Sequence, residues 1–220
     1  MDEINRGDIP RIFGELLTTL EKDKRGKRII LPVSQDIFSV PRNVFLLGTM
    51  NTADRSISLL DAALRRRFGF VELMPDGSVL KDSAVAGIAL RAWLDALNTR
   101  IREYVGRDAR NLQIGHSYLM HGGSPLKDLA TLKRAIRDDI IPLLEEYCYE
   151  DYGTLGNILG EQIVDVATER VRHELFDDGQ EDALVQGLLA PFVDISTSSE
   201  ALATDESQVE SDDDEEGAES

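Results

Sequence analysis

Cysteine is nearly absent from this chain. Cys148 is the only one in 220 residues, which excludes an internal disulfide and agrees with a reducing cytoplasm. It lies between Tyr147 and Tyr149 at the end of an apolar stretch, a setting for packing rather than for a nucleophile. Long apolar runs are missing too, so no segment reads as a membrane span and the acidic N-terminus is no signal peptide. Basic residues are scarce: 24 Lys and Arg stand against 41 Asp and Glu, a formal charge of −17. The tail from Ser196 to Ser220 holds ten of those acids and no Lys or Arg, and the rest of the chain is still acidic. Such a surface repels phosphate backbones, which argues against autonomous DNA binding. His116, His121 and His173 lack ligand spacing and have no cysteine cluster beside them, which argues against a metal centre built on histidine. Also missing is any Gly-x-x-x-x-Gly-Lys-Ser/Thr phosphate loop.

Three stretches carry chemistry. The first is Asp2-Glu3-Ile4-Asn5-Arg6-Gly7. Asp-Glu pairs close the Walker B strand of P-loop NTPases, where the Asp holds Mg²⁺ through water and the Glu polarises the attacking water. An acid pair is also an ordinary solvated surface feature. The second is the apolar run Val44-Phe45-Leu46-Leu47, short enough for a buried parallel strand, which leads into Gly48-Thr49-Met50-Asn51-Thr52-Ala53-Asp54-Arg55-Ser56. Ligands sit at the carboxyl ends of such strands, so Asn51 would emerge where an amide can hold a water against a phosphate. The same residue types favour turns and helix caps, and Ser56 suits a cap. The third is Leu60-Asp61-Ala62-Ala63-Leu64-Arg65-Arg66-Arg67-Phe68, an apolar helical stripe ending in three cations. Cations there complement the helix dipole, and a guanidinium fork also suits a phosphate from a neighbouring subunit.

Together with Phe13-Gly14-Glu15-Leu16, Gln113-Ile114-Gly115-His116-Ser117-Tyr118 and Ile140-Ile141-Pro142-Leu143-Leu144-Glu145-Glu146-Tyr147, these stretches resemble the AAA+ core and lid of McrB-type proteins. Those are the motor subunits of modification-dependent restriction endonucleases. The related MoxR-like group shares Asp-Glu-Ile-Asn-Arg but usually has an Asn-Pro pair at the sensor, which this chain lacks. The resemblance implies an α/β fold. Residues 1–75 would be a partial AAA+ P-loop NTPase core with a truncated parallel sheet, 76–195 an α-helical lid, and 196–220 a disordered acidic tail. It implies that Asp2 holds Mg²⁺ and contacts the nucleotide, that Glu3 activates water, and that Asn51 is the sensor orienting that water. Asp54 and Arg55 would complete the family's signature loop, and Arg66, Arg67 or both would be the arginine finger.

The family implies ATP or GTP as the nucleotide: GTP from the McrB likeness, ATP from AAA+ membership at large. It implies self-association in a ring, a hexamer, with a McrC-like nuclease subunit. DNA would be reached only through the complex or an N-terminal domain, with no membrane involved. The chain departs from the family in lacking the P-loop, its strand and most of the Walker B strand, so Met1 reads as an internal start, a split gene or a truncation. The alternative to an NTP-driven motor is therefore a catalytically inactive remnant that retains assembly surfaces. In such a sheet the P-loop strand lies between Val44–Leu47 and a following strand at Phe70–Leu73, and its loss would expose both edges.

Elsewhere, Pro10 to Leu20 reads as a helix with Ile12, Phe13, Leu16, Leu17 and Leu20 on one face. Ile29–Leu31 and Ile37–Val40 suit a hairpin through Ser34-Gln35-Asp36. Lys24, Arg25, Lys27 and Arg28 flank it, as a solvated turn or as a substrate contact near a ring's pore. From Asp82 the apolar positions Val85, Ile88, Ala89, Ala92, Trp93, Leu97, Ile101 and Tyr104 fit one helix. Leu126 to Tyr147 gives another, interrupted at Pro142, and a third runs near Ile158 to Phe176. Ala183 to Ile195 suits one more short helix. His116 reads as a hydrogen-bonded structural residue, with a nucleotide contact as the alternative.

Overall fold

Apolar side chains in the computed structural model gather into two cores, one in each unit into which the chain divides, Met1–Leu73 and Met74–Ser220. The structure describes residues 1–21, 23–51, 65–106 and 109–192. Asp54, Arg55 and the apolar stripe from Leu60 to Leu64 lie outside the described residues, as does the acidic tail.

In the first unit the helix expected over Pro10 to Leu20 is two pieces, α1 (Ile9–Phe13) and α2 (Leu16–Thr19). Gly14 takes φ 49° and ψ −126° between them, a conformation open to glycine and costly for other residues. The Asp8 side chain caps α1 by accepting from the Arg11 N–H at 3.2 Å, and Pro10 sits in the first turn, where no backbone donor is needed. The break rotates the apolar face. Ile9, Leu17 and Leu20 pack with Ile4 and Val40, whereas Ile12 is 64% exposed, contrary to the expected stripe.

The expected hairpin forms from β1 (Ile29–Ile30) and β2 (Ile37–Phe38), antiparallel with Ile29 opposite Phe38 and Ile30 opposite Ile37. Val44–Leu47 and Phe70–Leu73 do not form sheet strands among the described residues. Phe45 and Leu47 are each 84% exposed and Leu73 is 91% exposed. A strand needs a ladder partner to satisfy its backbone groups, and the described residues give the Val44–Leu47 stretch such a partner only at its end. There the Met1 amine donates to Leu47 O at 2.9 Å and Thr49 N–H donates to Met1 O at 2.9 Å. That alternation about Met1 is the pattern of a parallel pair.

The second unit is helical with small hairpins. A 3-10 turn (Gly77–Leu80) is followed by β3 (Ala84–Val85) and β4 (Ile88–Ala89), and only then by α3 (Leu90–Tyr104). The helix expected from Asp82 therefore starts eight residues later. Ala86 (φ 50°) and Gly87 (φ 81°) both take positive φ, the tight hairpin turn that favours antiparallel pairing. After α3 come β5 (Met120–His121) and β6 (Ser124–Pro125), then α4 (Leu129–Arg134), a π-helical turn (Ala135–Ile140) and α5 (Ile141–Cys148). Pro142 does not end this helix. Proline removes a backbone donor and crowds the carbonyl four residues earlier, and the wider π turn just before it absorbs both effects.

Helix α6 (Tyr152–Leu159) stops at Gly160, φ 89°. The long helix expected to Phe176 is instead a hairpin, β7 (Val164–Asp165) with β8 (Arg170–Val171), and a 3-10 turn (His173–Phe176). Helix α7 (Glu181–Leu189) is the last element among the described residues. It is locked onto α3: the Trp93 indole N–H donates to Leu188 O at 3.1 Å, and Arg100 donates to Pro191 O at 2.7 Å and to Asn157 O. The Arg100 guanidinium lies 5.4 Å from the Phe192 ring centroid, and that ring meets Trp93 edge-on. Among the described residues no helix is long and apolar enough to cross a membrane.

Candidate functional site

Thr49 joins the first two sequence landmarks. Its N–H donates to Met1 O, and its carbonyl accepts from Ile4 N–H at 2.9 Å. Its hydroxyl donates to the Asp2 carboxylate and accepts from Glu3 N–H at 3.1 Å. Both backbone groups and the side chain of one residue are thus spent on residues 1–4. Close approach here depends on Gly48, where an added Cβ would sit 2.9 Å from the Ile4 Cδ1. A second tie comes from Asn5, which is 9% exposed and donates from Nδ2 to the Asn51 carbonyl at 3.2 Å.

The segment carrying the acid pair and the one carrying Asn51 are therefore brought together. Asp2 is exposed beside the Thr49 hydroxyl. A carboxylate and a hydroxyl offer hard oxygens, the donor type suited to Mg²⁺ held partly through water. Glu3 sits at φ 47° and its carboxylate pairs with the Arg6 Nε at 2.6 Å. Asn51 is exposed, with its backbone carbonyl engaged by Asn5.

The three arginines separate. Arg66 is exposed and forms no ion pair with any described residue, whereas Arg67 is half-buried and pairs with Glu21 at 3.0 Å. Glu21 also takes Lys24 at 2.6 Å. The Lys24 hydrogen bond, with Arg67 adding to it, holds the Glu21 carboxyl below its usual range. Arg25 donates from Nε to Leu20 O at 3.1 Å and from its guanidinium to Val44 O at 2.7 Å. Two cations of the basic turn are thus tied down inside the unit, while Lys27 and Arg28 are exposed.

Sequence reasoning did not single out Thr49, Asn5 or Glu21. Their bonds cross about 46 residues of chain, and no local pattern marks such partners. In the second unit, His116 accepts from the Asp76 N–H at its Nδ1, 3.1 Å away, a structural bond. Cys148 is buried, and burial pushes its thiol up to about 11. Among the described residues no three His, Cys, Asp or Glu side chains gather as a ligand set.

Residues 1–68 match the family model of the AAA domain (dynein-related subfamily), and residues 89–156 match that of the McrB alpha-helical lid domain. An AAA domain followed by a helical lid is the architecture these matches define. More narrowly, the chain belongs to the McrB-type AAA+ proteins. It is 36% identical over 169 residues to the Type IV methyl-directed restriction enzyme EcoKMcrB subunit of Escherichia coli K12, covering 69% of this chain and 36% of that protein. It is 29% identical over 85 residues to the Type II restriction enzyme BsuMI component YdiS of Bacillus subtilis 168, covering 32% of this chain and 24% of that protein. The chain thus spans about a third of the E. coli relative and about a quarter of the Bacillus one.

Proposed function

We propose that this chain supplies the water-activating edge and the lid of a McrB-type nucleoside triphosphatase. It would work in a hexameric ring with a McrC-like nuclease subunit to restrict modified DNA, which it reaches through that complex. The observation that carries the reading is the Thr49 junction, which sets Asp2 and Glu3 beside the segment bearing Asn51. Asp2 and the Thr49 hydroxyl would hold Mg²⁺ bound to ATP or GTP, and the ion would supply charge neutralisation on the phosphates. Glu3 polarises the attacking water once its pair with Arg6 opens, and Asn51 orients that water. Arg66 serves the nucleotide of the neighbouring subunit, since Arg67 is held by Glu21 within its own unit.

The test uses a chimera joining this chain to the preceding part of the E. coli relative. Glu3→Gln should keep nucleotide binding and lower turnover by about 10²–10⁴, and Asn51→Ala should act in the same direction. Turnover at the parent rate in either variant would refute the assignment. A second reading, an assembly module without turnover of its own, rests on the absence of a phosphate loop from these 220 residues. It predicts that the chain joins rings of an intact relative and slows them.

A further inference from the structure

The basic turn and hairpin of the first unit have no part in the chemistry assigned so far, yet their base is wired to both halves of the site. Glu21 lies just beyond α2, paired with Arg67 at 3.0 Å and with Lys24 at 2.6 Å. Arg25 fastens the same turn to Leu20 O and to Val44 O, where the segment leading to Thr49 and Asn51 begins. Gly26 N–H donates to Val40 O at 2.9 Å and closes the stem of the β1–β2 hairpin onto this turn. The partners are sparing: Glu21 holds one arginine of the run and leaves the adjacent Arg66 exposed. Its side chain is 30% exposed and that of Arg67 is 20% exposed, so the pair is partly shielded from solvent.

We propose that Glu21 is a positioning residue for hydrolysis: by clamping Arg67 it fixes the direction in which Arg66 is offered to the neighbouring subunit. The proposal rests on the reading of Arg66 as the group donated in trans. A guanidinium acting at the transition state must be placed to within about 1 Å, and such a misplacement can cost around a hundredfold in rate. Loosening the clamp therefore lowers kcat and leaves the KM for nucleotide nearly unchanged, because the nucleotide is bound by the other subunit.

The experiment uses the same chimera, with Lys24→Gln as a common background so that, among the described residues, Arg67 is the one ion-pair partner left to Glu21. Glu21→Gln, which keeps shape, should lower kcat about tenfold or more, and Glu21→Arg by more. Adding Arg67→Glu to Glu21→Arg restores the pair with its charges reversed and should return kcat to within about threefold of the background. Ring assembly, read by light scattering, should be unchanged in Glu21→Gln. Unaltered kcat in both single variants, alongside loss of turnover in Arg66→Ala, would overturn the clamp while leaving the finger reading standing. Failure of the reversed pair to restore kcat would also overturn it, since the charge pair would not be the cause. If Arg66→Ala itself hydrolyses at the parent rate, the reading on which the clamp rests falls, and the clamp with it.

Discussion

Replacing Asn98 by Ala removes one side chain that satisfies two backbone groups in the interior of the second unit. Asn98 Nδ2 donates to Ile114 O at 2.9 Å, and its Oδ1 accepts from Ile114 N–H at 2.7 Å. Asn98 is 5% exposed and Ile114 is 0% exposed, so water cannot readily replace either bond. An orphaned buried donor or acceptor costs about 1–3 kcal/mol, so the two together come to about 2–6 kcal/mol. With a urea dependence of about 2 kcal/mol per molar, the unfolding midpoint should fall by about 1–3 M, followed by Trp93 fluorescence. Asn98→Asp gives the sign a second check. As a neutral carboxylic acid, the introduced side chain can replace both bonds; as a carboxylate it faces the Ile114 carbonyl and loses the donor. Burial and that carbonyl raise its folded pKa above the unfolded value of about 3.9. The variant should be near parent stability below that value and lose stability as pH rises through the unfolded value towards the folded pKa. A midpoint shift under about 0.3 M for Asn98→Ala at pH 7 would refute the reasoning.

Further outcomes follow from the same geometry. At pH 8 iodoacetamide should alkylate Cys148 about a hundredfold more slowly in the folded chain than in urea, because burial pushes the thiol up to about 11; equal rates would contradict its burial. The 220-residue polypeptide alone should show no micromolar affinity for ATP or GTP by calorimetry, since its sequence has no phosphate loop to cradle the phosphates.

The hairpin β1–β2 was legible because Ile29, Ile30, Ile37 and Phe38 bracket a polar turn, and local pattern alone decides such a pair. Its counterpart β3–β4 was not. Val85, Ile88, Ala89 and Ala92 fall at helical spacing, and two-residue strands are too short for a period of two to compete. What tipped the balance is the positive φ of Ala86 beside Gly87, and a lone alanine gives no warning of it. Pro142 does not interrupt the helix where expected: it sits in the first turn of α5, just after the π turn. Its effect, a π turn inside a continuing helix rather than a stop, depends on the packing of Ile136, Ile140 and Leu144 in the core. In the site, the motif residues were visible, but which arginine is held within the unit depends on Glu21, 46 residues from Arg67.

The central claim is that Glu3 and Arg66 serve one reaction from different subunits. The most direct measurement mixes Glu3→Gln subunits with Arg66→Ala subunits of the chimera in verified mixed rings and follows phosphate release. Alone, Glu3→Gln should be slowed by about 10²–10⁴ and Arg66→Ala by roughly 10³-fold or more. Mixed rings should regain a fraction of parent activity, because some interfaces then join an intact Glu3 to an intact Arg66. If mixed rings stay as slow as the single variants, or if Arg66→Ala hydrolyses at the parent rate, the two groups do not act across an interface and Arg66 is a helix-end cation, whose contribution is about 0.3–1 kcal/mol.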